Sequence, residues 1–143
     1  MGVVKGGVRM ARILIVDDER NILKYYTEEL SGDGHQVVAV DSGDQLLSTI
    51  GFHQPDVVVL DIRLAGWDGL ELLQDIRNRY YDLPVILCSA YETYKEDLRS
   101  VAADYYVVKS FDLSELKTAI KRATDAFLPG SSHSVYWDIQ GKV

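Results

Sequence analysis

Val57-Val58-Val59-Leu60-Asp61 decides how this chain is read. Four consecutive apolar residues, three of them β-branched, offer no polar face to water, so they read as a strand buried on both sides. The run stops at a carboxylate. A charged group at the end of such a strand belongs on the rim of a sheet, where loops and solvent begin.

Outward from Asp61 the same grammar repeats. Ile13-Leu14-Ile15-Val16 is a first apolar run, followed at once by Asp17-Asp18-Glu19. Ile22, Leu23, Tyr26 and Leu30 recur at helical spacing, which predicts an amphipathic helix from Glu19 to about Ser31, ended by Gly32-Asp33-Gly34. Val37 to Val40 is a second strand, and Ser42 is placed to cap a helix carrying Leu46, Leu47 and Ile50. Gln54-Pro55 breaks the chain before the central strand. A loop, 62–67, follows Asp61. Asp68 and Glu71 then form a capping-box pattern ahead of a helix with Leu72, Leu73, Ile76 and Tyr80 on one face. Pro84 precedes a fourth strand, Val85 to Cys88, with Ser89 next. Tyr94, Leu98, Val101 and Ala102 mark a fourth helix. Tyr106-Val107-Val108 is a fifth strand ending at Lys109. Asp112 and Glu115 open a last helix with Leu113, Leu116, Ile120, Ala123 and Phe127 as its stripe.

Strand–helix alternation, five times over, predicts an α/β fold: a doubly wound, five-stranded parallel sheet with five helices. In a parallel sheet the C-terminal ends of all strands share one edge, and ligands bind beyond it. Asp17 and Asp18 follow the first strand, Asp61 the third, Ser89 the fourth and Lys109 the fifth, so all converge on that edge. Taken singly, each has a plain explanation. Acids at a helix start favour the positive end of its dipole, Ser89 is a turn residue, and Lys109 is a surface charge. Convergence from four separate segments is what chance explains poorly.

Composition narrows the function classes. The 143 residues make one domain with its own core, of which 47% are hydrophobic and 26% charged. The net charge of -7 argues against direct nucleic-acid binding, which rests on basic surface. A single cysteine, Cys88, excludes an internal disulfide and fits a reducing, cytoplasmic setting. No apolar run approaches the length of a membrane span. Residues 1–10 read as a flexible leader and 11–128 as the domain. Residues 129–143, with His133, Tyr136 and Trp137, read as a tail too short for an output domain.

Three neighbouring carboxylates repel one another, and a divalent cation removes the conflict. Hard oxygen donors at a solvent-open rim suit Mg²⁺, which keeps several waters and shares its shell with phosphate. Asp61 is therefore a candidate phosphate acceptor, with Lys109 and Ser89 able to stabilise the transferred group. A nucleotide-binding enzyme of the same fold would need a Gly-rich, phosphate-cradling loop after the first strand. Asp17-Asp18-Glu19-Arg20 is acidic instead.

From about Arg12 to Phe127 the chain resembles a receiver domain of a two-component response regulator. The matching stretches are Ile13 to Glu19, Val59-Leu60-Asp61 with Asp68-Gly69, Ser89-Ala90, and Tyr106-Val107-Val108-Lys109. The resemblance implies a flavodoxin-like strand order 2-1-3-4-5 and a signalling switch rather than an enzyme with a separate substrate. It implies Asp61 as the phosphorylated residue, with Lys109 and Ser89 binding the phosphoryl oxygens. Asp18 and Asp61 would ligate Mg²⁺ (or Mn²⁺) directly, Asp17 through water, and Arg63 through its backbone carbonyl. Ser89 and Tyr106 match the family's switch pair. The donor would be a phosphohistidine on a sensor histidine kinase or a histidine phosphotransfer protein, docking at the first helix. A downstream protein would read the face of helix four, strand five and helix five, where Tyr91, Tyr94, Tyr105 and Phe111 fall. The oligomeric state expected is monomer or weak dimer.

The chain departs from the family at two usual prolines. Ser110 follows Lys109, which predicts a trans Lys109–Ser110 bond, because cis costs about 2.5–4 kcal/mol outside proline. Ala65 stands in the loop after Asp61, beside the permissive Gly66. Arg63 and Tyr91, two residues after Asp61 and Ser89, flank the path of hydrolytic water in the family, and their bulk predicts slow dephosphorylation. A degenerate receiver acting only through protein contacts is the alternative reading.

Overall fold

The computed structural model describes residues 4–5, 8–90 and 102–125. Ahead of the main sheet, within the stretch read as a leader, β1 (Val4–Lys5) and β2 (Val8–Arg9) pair antiparallel. The central sheet is built from β3 (Arg12–Val16), β4 (Gln36–Val40), β5 (Val57–Asp61), β8 (Val85–Ser89) and β9 (Tyr105–Val108). All four pairings are parallel and the order is β4-β3-β5-β8-β9. In terms of these five strands that is 2-1-3-4-5.

Side chains alternate across a strand, and the core divides accordingly. Val58 and Leu60 of β5 pack with Leu14, Val16 and Leu87 against α2 (Leu46–His53) and α3 (Gly69–Arg79). Val57 and Val59 pack with Ile13, Ile15, Ile86 and Cys88 against α1 (Arg20–Gly32) and α4 (Ser114–Asp125). β5 is buried at every position, as expected for a central parallel strand covered by helices on both faces. The helical stripes seat as their spacing predicts: Leu23, Tyr26 and Leu30 of α1 are buried, and so are Leu116, Ile120 and Ala123 of α4. The expected fourth helix, with Tyr94 and Leu98, lies outside the described residues, as do Tyr91, Phe127 and the tail.

Three local expectations resolve differently. Ser42 does not cap α2. Its hydroxyl accepts from the Asp44 N–H (3.0 Å), and the helix starts after Gln45, whose φ of 55° turns the chain into it. Ser89 belongs to the fourth strand rather than following it. The loop after Asp61 contains a small hairpin, β6 (Arg63–Leu64) with β7 (Trp67–Asp68), turning at Gly66 with φ +77°. Only glycine takes that conformation without strain. The cap at Asp68 forms, accepting from Leu70 N–H (2.9 Å), whereas Asp112 stands one residue ahead of the cap position of α4 and accepts from the N–H (2.9 Å) and hydroxyl (2.6 Å) of Ser114. The Lys109–Ser110 bond is trans.

One partly exposed clamp sets the approach to β9. The Arg77 guanidinium donates to the carbonyls of Tyr81, Leu83 and Ala102 and to Asp104 Oδ2. The same Asp104 oxygen accepts from Val85 N–H (2.8 Å). The end of α3, the start of β8 and the turn before β9 are thereby one unit. No helix among the described residues is long and apolar enough to cross a membrane.

Candidate functional site

The register explains why acids meet at the rim. Ile15 pairs with Val59 and Val16 with Leu60. One step further along both strands brings Asp17 beside Asp61, on the α1/α4 side of the sheet. On the other flank Asp61 pairs with Cys88, and Ser89 with Val108. Lys109 is the next residue, and its N–H donates to the Ser89 carbonyl (2.7 Å).

Lys109 reaches back across the sheet edge. Its Nζ lies 2.8 Å from Asp17 Oδ2, 3.0 Å from Asp61 Oδ2 and 3.3 Å from Glu19 Oε1. Asp17 and Asp61 are only 3% and 4% exposed, so the single ammonium compensates two buried charges. The second oxygens are also engaged: Asp17 Oδ1 accepts from Glu19 N–H (2.9 Å) and Asp61 Oδ1 from Arg63 N–H (3.2 Å). Burial pushes the Asp61 carboxyl up to about 6, and the Asp17 charge adds to the rise, against the pull of Lys109 and the Arg63 N–H. For Lys109, burial acts downward but the two aspartates outweigh it and hold the ammonium well above the usual lysine range. Behind the site the Cys88 thiol is pushed up to about 12 by burial, so it stays neutral.

The candidate residues sort into those brought together and those not. Asp61, Ser89, Arg63 and Lys109, with Glu19 and Ala90, line one pocket of about 190 Å³. Asp17, Glu19 and Asp61 each offer an oxygen within 4.8 Å of the others. Glu19 is the residue that sequence reasoning passed over as a ligand. The available signal was its place two residues after Asp17, at the mouth of α1. Asp18 stands outside this group. Its Oδ2 accepts from the N–H of Ala65 (2.7 Å), a donor that the family's usual proline would lack. Tyr106 is half-buried against the α2/α3 side of the core. Hard carboxylate oxygens converging at an open rim fit a divalent cation of the Mg²⁺ type.

A second, apolar groove of about 460 Å³ adjoins Lys109, lined by Asn21, Ile22, Tyr25, Tyr26, Ser110 and Phe111. Tyr25 Oη donates to the Phe111 carbonyl (2.6 Å), while the Phe111 ring is 92% exposed. Phe111 therefore belongs to the α1 side of the site. Tyr105 packs partly into the core on that same side.

Sheet order and rim chemistry together define a class: flavodoxin-like α/β domains whose C-terminal sheet edge carries an acidic cluster locked to a lysine. Within it, residues 13–121 match the response regulator receiver domain, and the chain belongs to that family of two-component signalling domains. It is similar to the regulatory protein AtoC of Escherichia coli, 40% identical over 115 residues that cover 78% of this chain and 25% of AtoC. Similarity to the response regulator FleR of Pseudomonas aeruginosa is 37% over 124 residues, 85% of this chain and 26% of FleR. The chain thus spans about a quarter of the length of these relatives. Among solved structures, the response regulator TrrA of Thermotoga maritima in complex with Mg²⁺–BeF superposes with a TM-score of 0.77 at 43% identity, covering 80% of this chain and 99% of that one. TrrA in complex with the histidine kinase ThkA gives 0.75 at 42%, over 80% and 98%.

Proposed function

We propose that this domain is a phosphorylatable switch that accepts a phosphoryl group onto Asp61 from a phosphohistidine partner. The observation that carries the reading is Asp61 itself: a buried rim carboxylate with a lysine ammonium 3.0 Å away and Ser89 in the same small pocket. At neutral pH Asp61 is ionised, yet more basic than a surface aspartate, which favours its attack. A bond forms between an Asp61 oxygen and phosphorus as the phosphorus–nitrogen bond of the donor breaks, and the bonding pair leaves on the imidazole. Lys109, kept in place by Asp17, follows the charge onto the phosphoryl oxygens, and the Ser89 hydroxyl donates to one of them. Asp17, Asp18, Asp61 and the Arg63 carbonyl would hold Mg²⁺ (or Mn²⁺), whose contribution is to neutralise charge on the phosphoryl oxygens.

The finer assignments follow from the same reading. The apolar groove between α1 and Phe111 receives the donor, a sensor histidine kinase or histidine phosphotransfer protein in the cytoplasm. TrrA, crystallised with a histidine kinase, supports a partner of that kind. Ser89 drawn toward the phosphoryl group leaves room for Tyr106 to turn inward, changing the face that a downstream protein reads. Arg63, which lines the pocket, and Tyr91 screen the acyl phosphate from water; small polar residues at both positions shorten its lifetime, and an unchanged lifetime would remove that role.

Incubation with acetyl phosphate, with and without Mg²⁺, followed by intact mass measurement, tests the central claim. The expected result is a Mg²⁺-dependent phosphate adduct that is absent in Asp61→Asn. No adduct in any condition overturns it in favour of a domain acting through protein contacts alone.

A further inference from the structure

The acid next to the cluster is tied elsewhere. Asp17, Glu19 and Asp61 gather their oxygens within 4.8 Å, whereas Asp18 spends Oδ2 on the Ala65 N–H at 2.7 Å. That N–H is not needed by the hairpin. Arg63 pairs with Asp68 and Leu64 with Trp67, leaving Ala65-Gly66 as the two-residue turn between them. Gly66 carries φ +77° while Ala65 keeps an ordinary negative-side φ, the pattern of a type II turn. Trp67, just beyond the turn, lies over Gly43: a Cβ built there would stand 3.0 Å from its Cγ. The turn is therefore held by Asp18 on one side and by the Trp67 contact on the other.

We propose that the Asp18–Ala65 hydrogen bond is a latch that competes with cation binding, an inference that rests on the cation site described above. In the latched state Asp18 is kept outside the acidic cluster. Asp18 does not share the cluster's oxygen group, so joining a cation there through Oδ2 means releasing Ala65, and cation uptake and the position of the β6–β7 turn are linked. The latch competes with the cation for one carboxylate, and it lowers cation affinity by the strength of a charge-assisted hydrogen bond at a partly solvated site. Reciprocity follows: whatever pins the turn in its latched position weakens cation binding, and the cation loosens the turn.

Deleting the donor tests this without removing any ligand. Ala65→Pro takes away the N–H, and proline is favoured at the first central position of such a turn, after a residue already in a strand. Ala65→Gly keeps the N–H and serves as control. Calorimetric titration of the whole chain with Mg²⁺ is expected to show binding about three- to tenfold tighter for Ala65→Pro and little changed for Ala65→Gly. In the ¹⁵N-labelled wild-type protein, the Ala65 amide resonance should shift and lose its exchange protection as Mg²⁺ saturates, a readout that stands even if the proline variant folds poorly. Equal Mg²⁺ affinity in all three proteins with an unmoved Ala65 amide overturns the latch and leaves the cation site intact. No Mg²⁺ binding by any of the three overturns the cation site, and the latch with it.

Discussion

Lys109 Nζ stands 3.0 Å from Asp61 Oδ2, with side chains only 9% and 5% exposed, and it is simultaneously bound to Asp17 at 2.8 Å. Breaking a buried ion pair by removing one partner leaves the other charge uncompensated, which typically costs about 3–5 kcal/mol. Lys109→Met, without metal at pH 7.5, is expected to lose about 3 kcal/mol in urea unfolding. At pH 5 the loss should shrink. Without the lysine, the Asp61 carboxyl rises further above its present value of about 6 and is protonated in the folded state. An equal loss at both pH values would mean that the lysine acts through packing of its stem rather than through charge.

Asp61 itself is held at a cost. Its folded carboxyl titrates near 6 rather than at the ordinary 3.8, mainly through burial. Between those values the folded chain keeps a proton that the unfolded chain has lost, so stability falls as pH rises through this window. Asp61→Asn removes both that slope and the repulsion from Asp17. In metal-free buffer at pH 7.5 it is expected to be more stable than wild type by about 1 kcal/mol. Mg²⁺ should then raise the melting temperature of wild type and not that of the variant, since a ligand stabilises only the state that binds it. A variant less stable than wild type in chelator would show that Asp61 is a net structural asset.

Most of the fold was legible because its signals are local and redundant. Val57 to Leu60, short, apolar and mostly β-branched, reads as a covered strand, and the α1 and α4 stripes repeat at helical spacing over several turns. The site residues were legible because parallel strands deliver their last residues to one edge whatever the loops do. What the sequence did not carry was side-chain choice among near-equivalents. Asp17, Asp18 and Glu19 are three adjacent acids at a helix start, and only the three-dimensional path of the loop decides that Glu19 faces Lys109 while Asp18 faces Ala65. Ser42 failed as a helix cap for a related reason: its hydroxyl is satisfied two residues on, inside a turn that precedes α2. Sequence order places Phe111 on the face of helix four, strand five and helix five, but the Tyr25 bond to its carbonyl and the groove it lines with Ile22 put it beside α1.

Gly69 is fixed by the site rather than by its helix. A Cβ built there would lie 2.5 Å from Ile62 Cα and 2.7 Å from the Ile62 carbonyl oxygen, and it would also crowd the carbonyl of Asp61. These are backbone atoms of the acceptor loop and cannot rotate away. Its own N–H donates to the Ile62 carbonyl (2.8 Å), so helix and loop are already in contact. Gly69→Ala, which raises intrinsic helix propensity, is expected to destabilise by about 2–3 kcal/mol and to lower the acetyl phosphate labelling rate together with stability. Gly32→Ala is the matching control: nothing lies within 4 Å of its added Cβ, and labelling should be unaffected. Normal stability in Gly69→Ala would mean that the loop can retreat at no cost.

His35 supplies a pH dependence remote from the acidic cluster. Its Nδ1 accepts from the Ala11 N–H at 3.0 Å, a bond only the neutral ring can make in that orientation. Burial lowers its pKa below the ordinary 6.5; the Asp33 charge opposes this and the Lys117 charge reinforces it. With the folded value depressed, the unfolded chain takes up the proton first. Stability is complete above about pH 6.5 and is lost as pH falls from there through the folded value. Asparagine can place its amide oxygen where Nδ1 stands and does not titrate. His35→Asn should therefore keep near-wild-type stability at pH 7.5 and lose less of it between pH 7 and 5, as read from urea midpoints in chelator. Comparing each protein with its own value at pH 7.5 cancels any difference in packing and leaves only the proton. Parallel curves for the two proteins would assign the acid sensitivity to other groups and return His35 to a purely structural role at the start of β3.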